Sequence, residues 1–203
     1  MGLRMLVTPA LYPLFSEAID GWSRDIVCLS ADTGNHIQQA LQHGAADVGV
    51  FAWDEETSRL LPHEELFHSP LVLCLPDPKD SHLSENAGPA EILSHGVLFI
   101  SHDTCLHNRQ VQVLKAHGIV HPHILATADE SLLIELTAAG HGPGILPLSY
   151  MAGMAPHRAY PLPDTAPVPF HIVTAPGLHS EPLAEFLRYL HQFVDDHTEA
   201  SDI

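Results

Sequence analysis

Short apolar runs alternate repeatedly with amphipathic stretches along this chain, and that alternation most restricts its fold. The first run is LRMLV at residues 3–7, and apolar side chains then recur at helical spacing from Leu11 to Trp22. A strand, a helix and a further strand are predicted next, at residues 25–30, 35–44 and 47–51. Strands that alternate with helices are typical of βα units, which build mostly parallel sheets flanked by helices. An α/β fold is therefore predicted.

The same alternation resumes after a loop-rich stretch, DPKDSHLSENAGPAE, which follows an apolar run at residues 71–76. The second series begins with a helix at 89–94, a strand at 96–101 and a helix at 105–117. A strand whose last residues are 123–126, a helix from Asp129 and a strand at 144–146 follow. A proline-rich segment then leads to a strand at 170–175 and a last helix from Ser180. That helix is predicted to have an apolar face formed by Leu183, Phe186, Leu187, Leu190, Phe193 and Val194. We expect two lobes, formed by residues 1–76 plus 166–203 and by residues 77–165.

Composition limits the class of protein. At 203 residues with 45% hydrophobic and 16% charged residues, the chain is long enough to bury the cores of two lobes. It contains no run of 18 apolar residues, so no membrane span is predicted. The amino terminus, MGLRMLVTPALYPLF, is broken by prolines and lacks a small-residue cleavage site, so we read it as a strand and helix of a cytoplasmic protein.

The charge and the cysteines exclude further classes. Eight basic and 25 acidic residues give a formal net charge of -17, which argues against this chain holding nucleic acid by itself. Its three cysteines, Cys28, Cys74 and Cys105, are far apart and odd in number. That usage indicates a reducing compartment without a disulfide framework.

The 17 histidines raise the question of a metal site. The best candidates are His121-Pro122-His123 and the pair His36 and His43, but neither brings cysteines or carboxylates at a known ligand spacing. We therefore expect surface histidines, with no metal and no cofactor.

A glycine-rich stretch at residues 137–147, TAAGHGPGILP, could be either a phosphate-binding loop or a corner of the fold. Phosphate-binding loops follow a strand and open a helix. This stretch ends the predicted helix from Asp129, which is expected to bury Leu132, Leu133, Leu136 and Ala139, and starts a strand. Its glycines are therefore predicted to provide left-handed backbone and a close approach of helix to sheet, with His141 facing solvent.

Four segments, in order, resemble the effector-binding domain of LysR-type transcriptional regulators: LRMLVTPALYPLF, IQQALQHGAADVGVF, SPLVLCLPDPKDSHL and LTAAGHGPGILP. The likeness extends from about Leu3 to Val194, and Pro143 departs from the family pattern. The resemblance implies a two-lobed, periplasmic-binding-protein-like (type 2) fold with a ligand cleft between the lobes, in a homodimer or higher homo-oligomer. Such regulators begin with a winged helix-turn-helix that this sequence lacks, so DNA contact is expected only through that domain.

Ligands of open parallel sheets bind beyond the carboxyl ends of strands, where helix N-termini favour anionic groups. Three predicted strand ends meet this rule, and the end of the third strand in the chain could add an apolar wall to the site. The candidate ligand-binding residues are Thr8, Pro9, Ala10, Phe51, Ser101, His102 and Thr127. Each hydroxyl has a structural alternative: Thr8 and Ser101 as helix N-caps, and Thr127 as half of a capping box with Glu130. Trp53 is either a further part of the wall or partly exposed loop.

Cys105 lies at a predicted helix N-terminus, where a thiolate is stabilised. The segment CLHNRQ resembles the region that holds the reactive cysteine in the peroxide-sensing branch of the same family. That branch uses a second cysteine shortly afterwards, and none occurs between Leu106 and Pro147. A disulfide switch is therefore not expected.

The leading hypothesis is a non-catalytic domain that senses a small molecule, with a small carboxylate or other oxyanion as the expected effector. A solute-binding receptor of a transport system shares the lobed architecture and is the alternative, although no signal sequence or lipid-anchor cysteine is present. An enzyme is the third class, but the sequence has no nucleophile elbow, HExxH, P-loop or CxxC motif. We therefore expect no catalytic activity.

Overall fold

A computed structural model describes residues 2–22, 27–53, 61–75, 88–100, 105–119, 124–127, 130–153, 158–162 and 165–199. The chain divides into two compact units. Unit 1 comprises Met1–His68 and Pro169–Ile203, and unit 2 comprises Ser69–Val168. Each unit has a five-stranded mixed sheet flanked by helices.

Unit 1 begins with two βα units. Its elements are β1 (Leu3–Val7), α1 (Tyr12–Gly21), β2 (Val27–Ala31), α2 (Gly34–Gln42), β3 (Val48–Ala52), β4 (His63–Ser69), β10 (Val168–Thr174) and α6 (Glu181–Glu199). The strand order is β2-β1-β3-β10-β4, with β1 parallel to β2 and β3, and β10 antiparallel to β3. Helix α6 buries the predicted apolar face through Leu183, Phe186, Leu190 and Val194.

Unit 2 contains the remaining elements, β5 (Leu71–Leu75), α3 (Pro89–His95), β6 (Val97–Ile100), α4 (Cys105–Ala116), β7 (Ile124–Thr127), α5 (Glu130–Ala138), β8 (Gly144–Pro147) and β9 (Arg158–Pro161). The strand order is β7-β6-β8-β5-β9. Strand β6 is parallel to β7 and β8, whereas β5 is antiparallel to both β8 and β9.

The first lobe boundary differs from the one expected after residue 76. Strand β5 pairs with β8 and β9 in the sheet of unit 2, so the chain crosses before β5 rather than after it. All five residues of β5 are buried, and a fully apolar strand carries no mark of the sheet to which it belongs. The second crossing, at residues 168 and 169, lies close to the expected position.

Three local expectations were incomplete or wrong. Strands β4 and β9 were not predicted, because β4 begins HEEL with exposed side chains and β9 lies in a proline-rich segment. Helix α5 was expected to bury Leu132 and Ala139, but Leu132 is 40% exposed and Ala139 is also exposed. The helix instead buries Leu133 and Thr137, one turn apart.

Arg4 and Asp47 close the amino-terminal edge of the unit 1 sheet. The Asp47 carboxylate accepts from Arg4 N at 2.8 Å, from Nε at 3.1 Å and from Nη2 at 3.0 Å. Arg4 Nη2 also donates to Gly44 O at 2.8 Å, where α2 has ended in a left-handed glycine with a φ of 67°. The hydrogen bonds from Arg4 lower the pKa of Asp47 below its usual range.

Among the described residues, no helix is long and apolar enough to cross a membrane.

Candidate functional site

Thr8 is the first predicted ligand residue and directly follows β1. It is 3% exposed, and its N–H donates to Val50 O on β3 at 3.2 Å. Pro9 and Ala10 lie in a short 3-10 helix, Pro9–Leu11, which leads into α1. Thr8 occupies the N-cap position of that turn, but its side chain makes no capping hydrogen bond. The hydroxyl has no hydrogen-bond partner among the described residues, so the structural alternative for Thr8 does not account for it.

The start of α2 lies beside Thr8. Asp32 N donates to Val7 O at 2.9 Å, which brings the end of β2 next to the end of β1. Thr33 caps α2 by accepting from His36 N at 3.4 Å. Asp32 Oδ1 accepts from Thr33 N at 2.8 Å and lies 3.0 Å from His36 Nδ1. With side chains 65% and 42% exposed, the ion pair of His36 and Asp32 contributes little to stability and forms the polar rim of this edge.

Phe51 and Trp53 lie in a buried apolar cluster. Phe51 is 2% exposed and Trp53 is 1% exposed, and both pack with Ile37 and Leu41 of α2. The exposed-loop alternative for Trp53 is therefore wrong. The structure gives Phe51 a packing role and adds no support to its prediction as an open wall. Trp53 Nε1 is buried and makes no hydrogen bond within the described part of the chain.

The second and third predicted positions belong to unit 2. Ser101 and His102 lie outside the described residues. Thr127 ends β7 beside Ile100, the last residue of β6, so its predicted place at a strand end is confirmed. The capping box with Glu130 stays a prediction, because residues 128 and 129 lie outside the described part of the chain; the Glu130 carboxylate accepts from Tyr150 Oη at 2.6 Å.

Helix α4 begins at Cys105, as predicted, and is hydrogen-bonded to the sheet by side chains that sequence reasoning did not select. Gln110 is fully buried, accepts from Ile100 N at 3.1 Å and donates from Nε2 to Ile145 O at 2.9 Å. His107 Nδ1 donates to Ile100 O at 2.6 Å. These bonds fix α4 against the carboxyl end of β6.

Neither redox nor metal chemistry gains support. No disulfide bond joins any two of the three cysteines, all of which lie in described segments, and burial raises the pKa of the Cys74 thiol to about 11. Within the described ranges, no three His, Cys, Asp or Glu side chains are grouped to hold a metal ion. His36 and His43 have separate partners, the latter bonding Gln39 O at 2.7 Å, and residues 121–123 lie outside the description.

The glycine-rich stretch ends α5 and starts β8, as predicted. Gly140 has a φ of 81°, and its N–H donates to Thr137 O at 3.1 Å. His141 N donates to Leu136 O at 3.0 Å, which completes a C-terminal cap of the α-helix with Gly140 in the left-handed conformation. His141 is exposed. Gly144 faces Thr137, where a Cβ would collide with the hydroxyl. The stretch is a corner of the fold rather than a phosphate site.

Sequence reasoning missed two buried polar atoms at strand ends. Trp53 was weighed only as an apolar surface, although its indole nitrogen is the distinctive group. Ser149 follows β8 in unit 2, and its Oγ is buried with no hydrogen-bond partner among the residues described. Its N–H donates to Ser69 Oγ at 2.9 Å. No local pattern marks either atom, because the lack of a partner depends on the packing of distant segments.

The comparisons with known proteins place the chain in a family. The family model described as LysR substrate binding domain matches residues 26–195. The BenM effector binding domain with its effector benzoate has a TM-score of 0.72 at 16% identity, over 97% of this chain and 93% of that one. A sulfate-bound variant of the OxyR2 regulatory domain from Vibrio vulnificus has a TM-score of 0.75 at 15% identity, over 95% and 96%.

Full-length BenM has a TM-score of 0.73 at 15% identity, over 98% of this chain and 69% of that one. At these identities the solved structures show the fold alone, which is the type 2 periplasmic-binding-protein-like fold expected from the sequence. A comparison with curated protein sequences finds no match. On the strength of the family match over residues 26–195, the chain belongs to the LysR substrate binding domain family.

Proposed function

We propose that this chain is a non-catalytic domain that senses a small-molecule effector and binds it at the carboxyl edge of the unit 1 sheet. The observation that carries the proposal is the Thr8 hydroxyl, which is buried at the end of β1 without a partner in the described chain. A buried hydroxyl without a hydrogen bond costs about 1–3 kcal/mol, so such groups are rare unless something else satisfies them. A bound effector would satisfy this one.

The proposed effector carries a carboxylate or another oxyanion. The Thr8 hydroxyl is a donor at this edge, and α2 begins beside it with the positive end of its dipole. The BenM domain is described with benzoate as its effector and the OxyR2 variant as sulfate-bound, and both are anions. This similarity supports the ligand class for the present chain.

The remaining parts of the proposal follow the family. The effector would be held between the two lobes and would be signalled through rearrangement of a homodimer to a separate DNA-binding domain. For this to work, the effector must bind the two arrangements with different affinities. The net charge of -17 supports the assignment of DNA contact to another domain in a cytoplasmic regulator.

Substitution of Thr8 tests the proposal. Thr8→Val keeps the shape and removes the donor, whereas Thr8→Ser keeps the donor and serves as the matched control. In a thermal-shift titration with acetate, benzoate and sulfate, we expect at least one anion to stabilise the wild type and Thr8→Ser. Loss of one hydrogen bond to a charged group should weaken binding to Thr8→Val by about 10- to 100-fold.

The unliganded variants provide an internal check. Because the Thr8 hydroxyl is unsatisfied in the described structure, Thr8→Val should be no less stable than the wild type without ligand. Equal anion binding by wild type and Thr8→Val, or stabilisation only by neutral apolar compounds, would contradict the proposal. Turnover of a bound probe, followed by NMR of the titrated sample, would show that the domain is an enzyme.

A further inference from the structure

Trp53 carries a second buried donor without a partner, on the strand beside Thr8. Its side chain is 1% exposed, and Nε1 makes no hydrogen bond within the described residues. Trp53 N donates to Pro169 O at 3.0 Å, so the backbone continues the line of β3 at this residue. An indole N–H can only donate, so it costs free energy to bury one without an acceptor.

Thr8 and Trp53 lie on the same face of the unit 1 sheet. Leu6 is the register partner of Gly49, and Leu6 packs against the cluster that contains Trp53 and Phe51. Because side chains alternate between the faces of a sheet, Thr8 falls on the face of Leu6. Phe51 follows Val50, the register partner of Val7, so Phe51 is the neighbour of Thr8. Strand spacing then places the Cα atoms of Thr8 and Trp53 about 8 Å apart.

The N-terminus of α2 covers this same part of the sheet. A Cβ added to Gly34, the first residue of α2, would lie 3.4 Å from Phe51 Cδ2. The helix end therefore lies close to the Phe51 ring, and Phe51 is the register neighbour of Thr8 and lies two residues before Trp53 on the same face. The two buried donors are observations independent of the helix.

The rings around Trp53 hold its indole in one orientation. The His63 ring stacks on it with centroids 4.9 Å apart and an interplanar angle of 28°, and Phe51 contacts it at 5.3 Å. His63 Nδ1 donates to Leu61 O at 2.9 Å, which in turn fixes the imidazole. A donor held in this way is preorganised for an acceptor and loses little entropy when one binds.

We infer that the effector has two hydrogen-bond acceptors, one bound by Thr8 and the start of α2 and the other by Trp53 Nε1. This inference rests on the proposed function and narrows its ligand class. The effector is a small acid with a second acceptor at its other end, of which a linear dicarboxylate is the simplest example. A monocarboxylate would satisfy only one of the two buried donors.

The test compares linear dicarboxylates, from succinate to adipate, with monocarboxylates of the same chain length by isothermal titration calorimetry. At least one dicarboxylate should bind the wild type tenfold or more tightly than its matched monocarboxylate. Trp53→Phe keeps an aromatic ring and removes the N–H, so it should weaken binding of that dicarboxylate by about 10- to 100-fold and abolish the preference.

Trp22 provides a matched control, because its Nε1 is also buried with no partner among the described residues. It follows α1, which runs antiparallel to β1, so it lies at the opposite edge of the sheet and packs on Phe186 at 5.3 Å. Trp22→Phe should retain the dicarboxylate preference. It also leaves Trp53 as the sole tryptophan, whose emission should shift with the preferred dicarboxylate and not with the monocarboxylate.

Four outcomes would overturn the inference. The first is equal binding of the dicarboxylate and the monocarboxylate, and the second is a dicarboxylate preference that survives Trp53→Phe. Either would overturn this inference but not the proposed function, provided that Thr8→Val still weakens the binding of both acids. Trp53 emission that is unchanged on dicarboxylate binding to Trp22→Phe would have the same effect, and this readout remains if Trp53→Phe does not fold. If no acid binds the wild type, the proposed function fails as well.

Discussion

Substitution of Gly144 is predicted to be destabilising because α5 lies directly on β8 at this point. A Cβ at Gly144 would collide with Thr137 Oγ1 and lie 3.3 Å from Cγ2 and 3.4 Å from Cβ of the same residue. Thr137 cannot move aside easily, because it is fully buried and its hydroxyl donates to Leu133 O at 2.8 Å. Gly144→Ala must therefore push the helix away from the sheet.

The expected cost follows from two opposing terms. Overpacking a close-packed core costs about 1–3 kcal/mol. Alanine restricts the unfolded chain and returns about 0.4–1 kcal/mol, since Gly144 does not have a positive φ. The net prediction is a loss of about 1–2 kcal/mol in the free energy of unfolding. Gly142→Ala is the control, because its Cβ would make only ordinary contacts with Leu98, at 3.5 Å to Cγ and 3.8 Å to Cδ2, and it should be neutral or slightly stabilising.

A double-mutant cycle isolates the contact. Thr137→Ala removes Oγ1 and Cγ2 and should cost about 1–2 kcal/mol by itself. It leaves only the ordinary 3.4 Å contact with Cβ, so Gly144→Ala should cost nothing further in that background. The coupling is then about 1–2 kcal/mol in favour of the double variant. Urea denaturation followed by far-UV circular dichroism measures each free energy, and strictly additive losses would refute the reasoning.

Two further predictions concern buried and charged polar groups. Gln110→Leu leaves Ile100 N–H and Ile145 C=O without the side-chain amide that bonds to both. We expect the free energy of unfolding, measured by urea denaturation, to fall by about 2–5 kcal/mol. The control is Gln112→Leu, at an exposed position, which should change it by less than about 0.5 kcal/mol. An unchanged Gln110→Leu variant would mean that the two backbone groups pair elsewhere. Asp47→Asn removes a carboxylate whose pKa is lowered in the folded state by Arg4. The ionised carboxylate therefore stabilises the fold above its pKa in the unfolded chain, about 4, and this stabilisation is lost as the pH falls through its lower pKa in the folded state. The difference in thermal midpoint between wild type and Asp47→Asn should therefore be largest near pH 7 and shrink below about pH 4, and a difference independent of pH would argue against the ion pair.

Elements that carry their own signal were predicted well. The run at residues 3–7 coincides with β1, and Gly140 ends its helix with a positive φ as expected. These features depend on residues that are close in the sequence. Strand β4 was missed because its burial comes from pairing with β10, about a hundred residues later, and its first half stays exposed to solvent. The sheet to which β5 belongs is also decided by partners distant in the sequence, and its own residues record only burial.

The same distinction explains what could be known of the site. Thr8 was selected as a candidate ligand-binding residue by its position, because a hydroxyl after an apolar strand and before a proline marks a strand end that leads into a helix. The sequence left open whether this hydroxyl caps the helix or meets a ligand.

The structure weighs against the first alternative, because the 3-10 turn at Pro9–Leu11 has no bond from the Thr8 side chain, whereas α2 is capped by Thr33. Two threonines at neighbouring strand ends thus have different roles, and only the hydrogen-bond account of each one separates them. The Thr8 hydroxyl is buried, does not cap its own helix and lies one strand from a buried indole N–H, and these are the observations on which the proposed effector site rests.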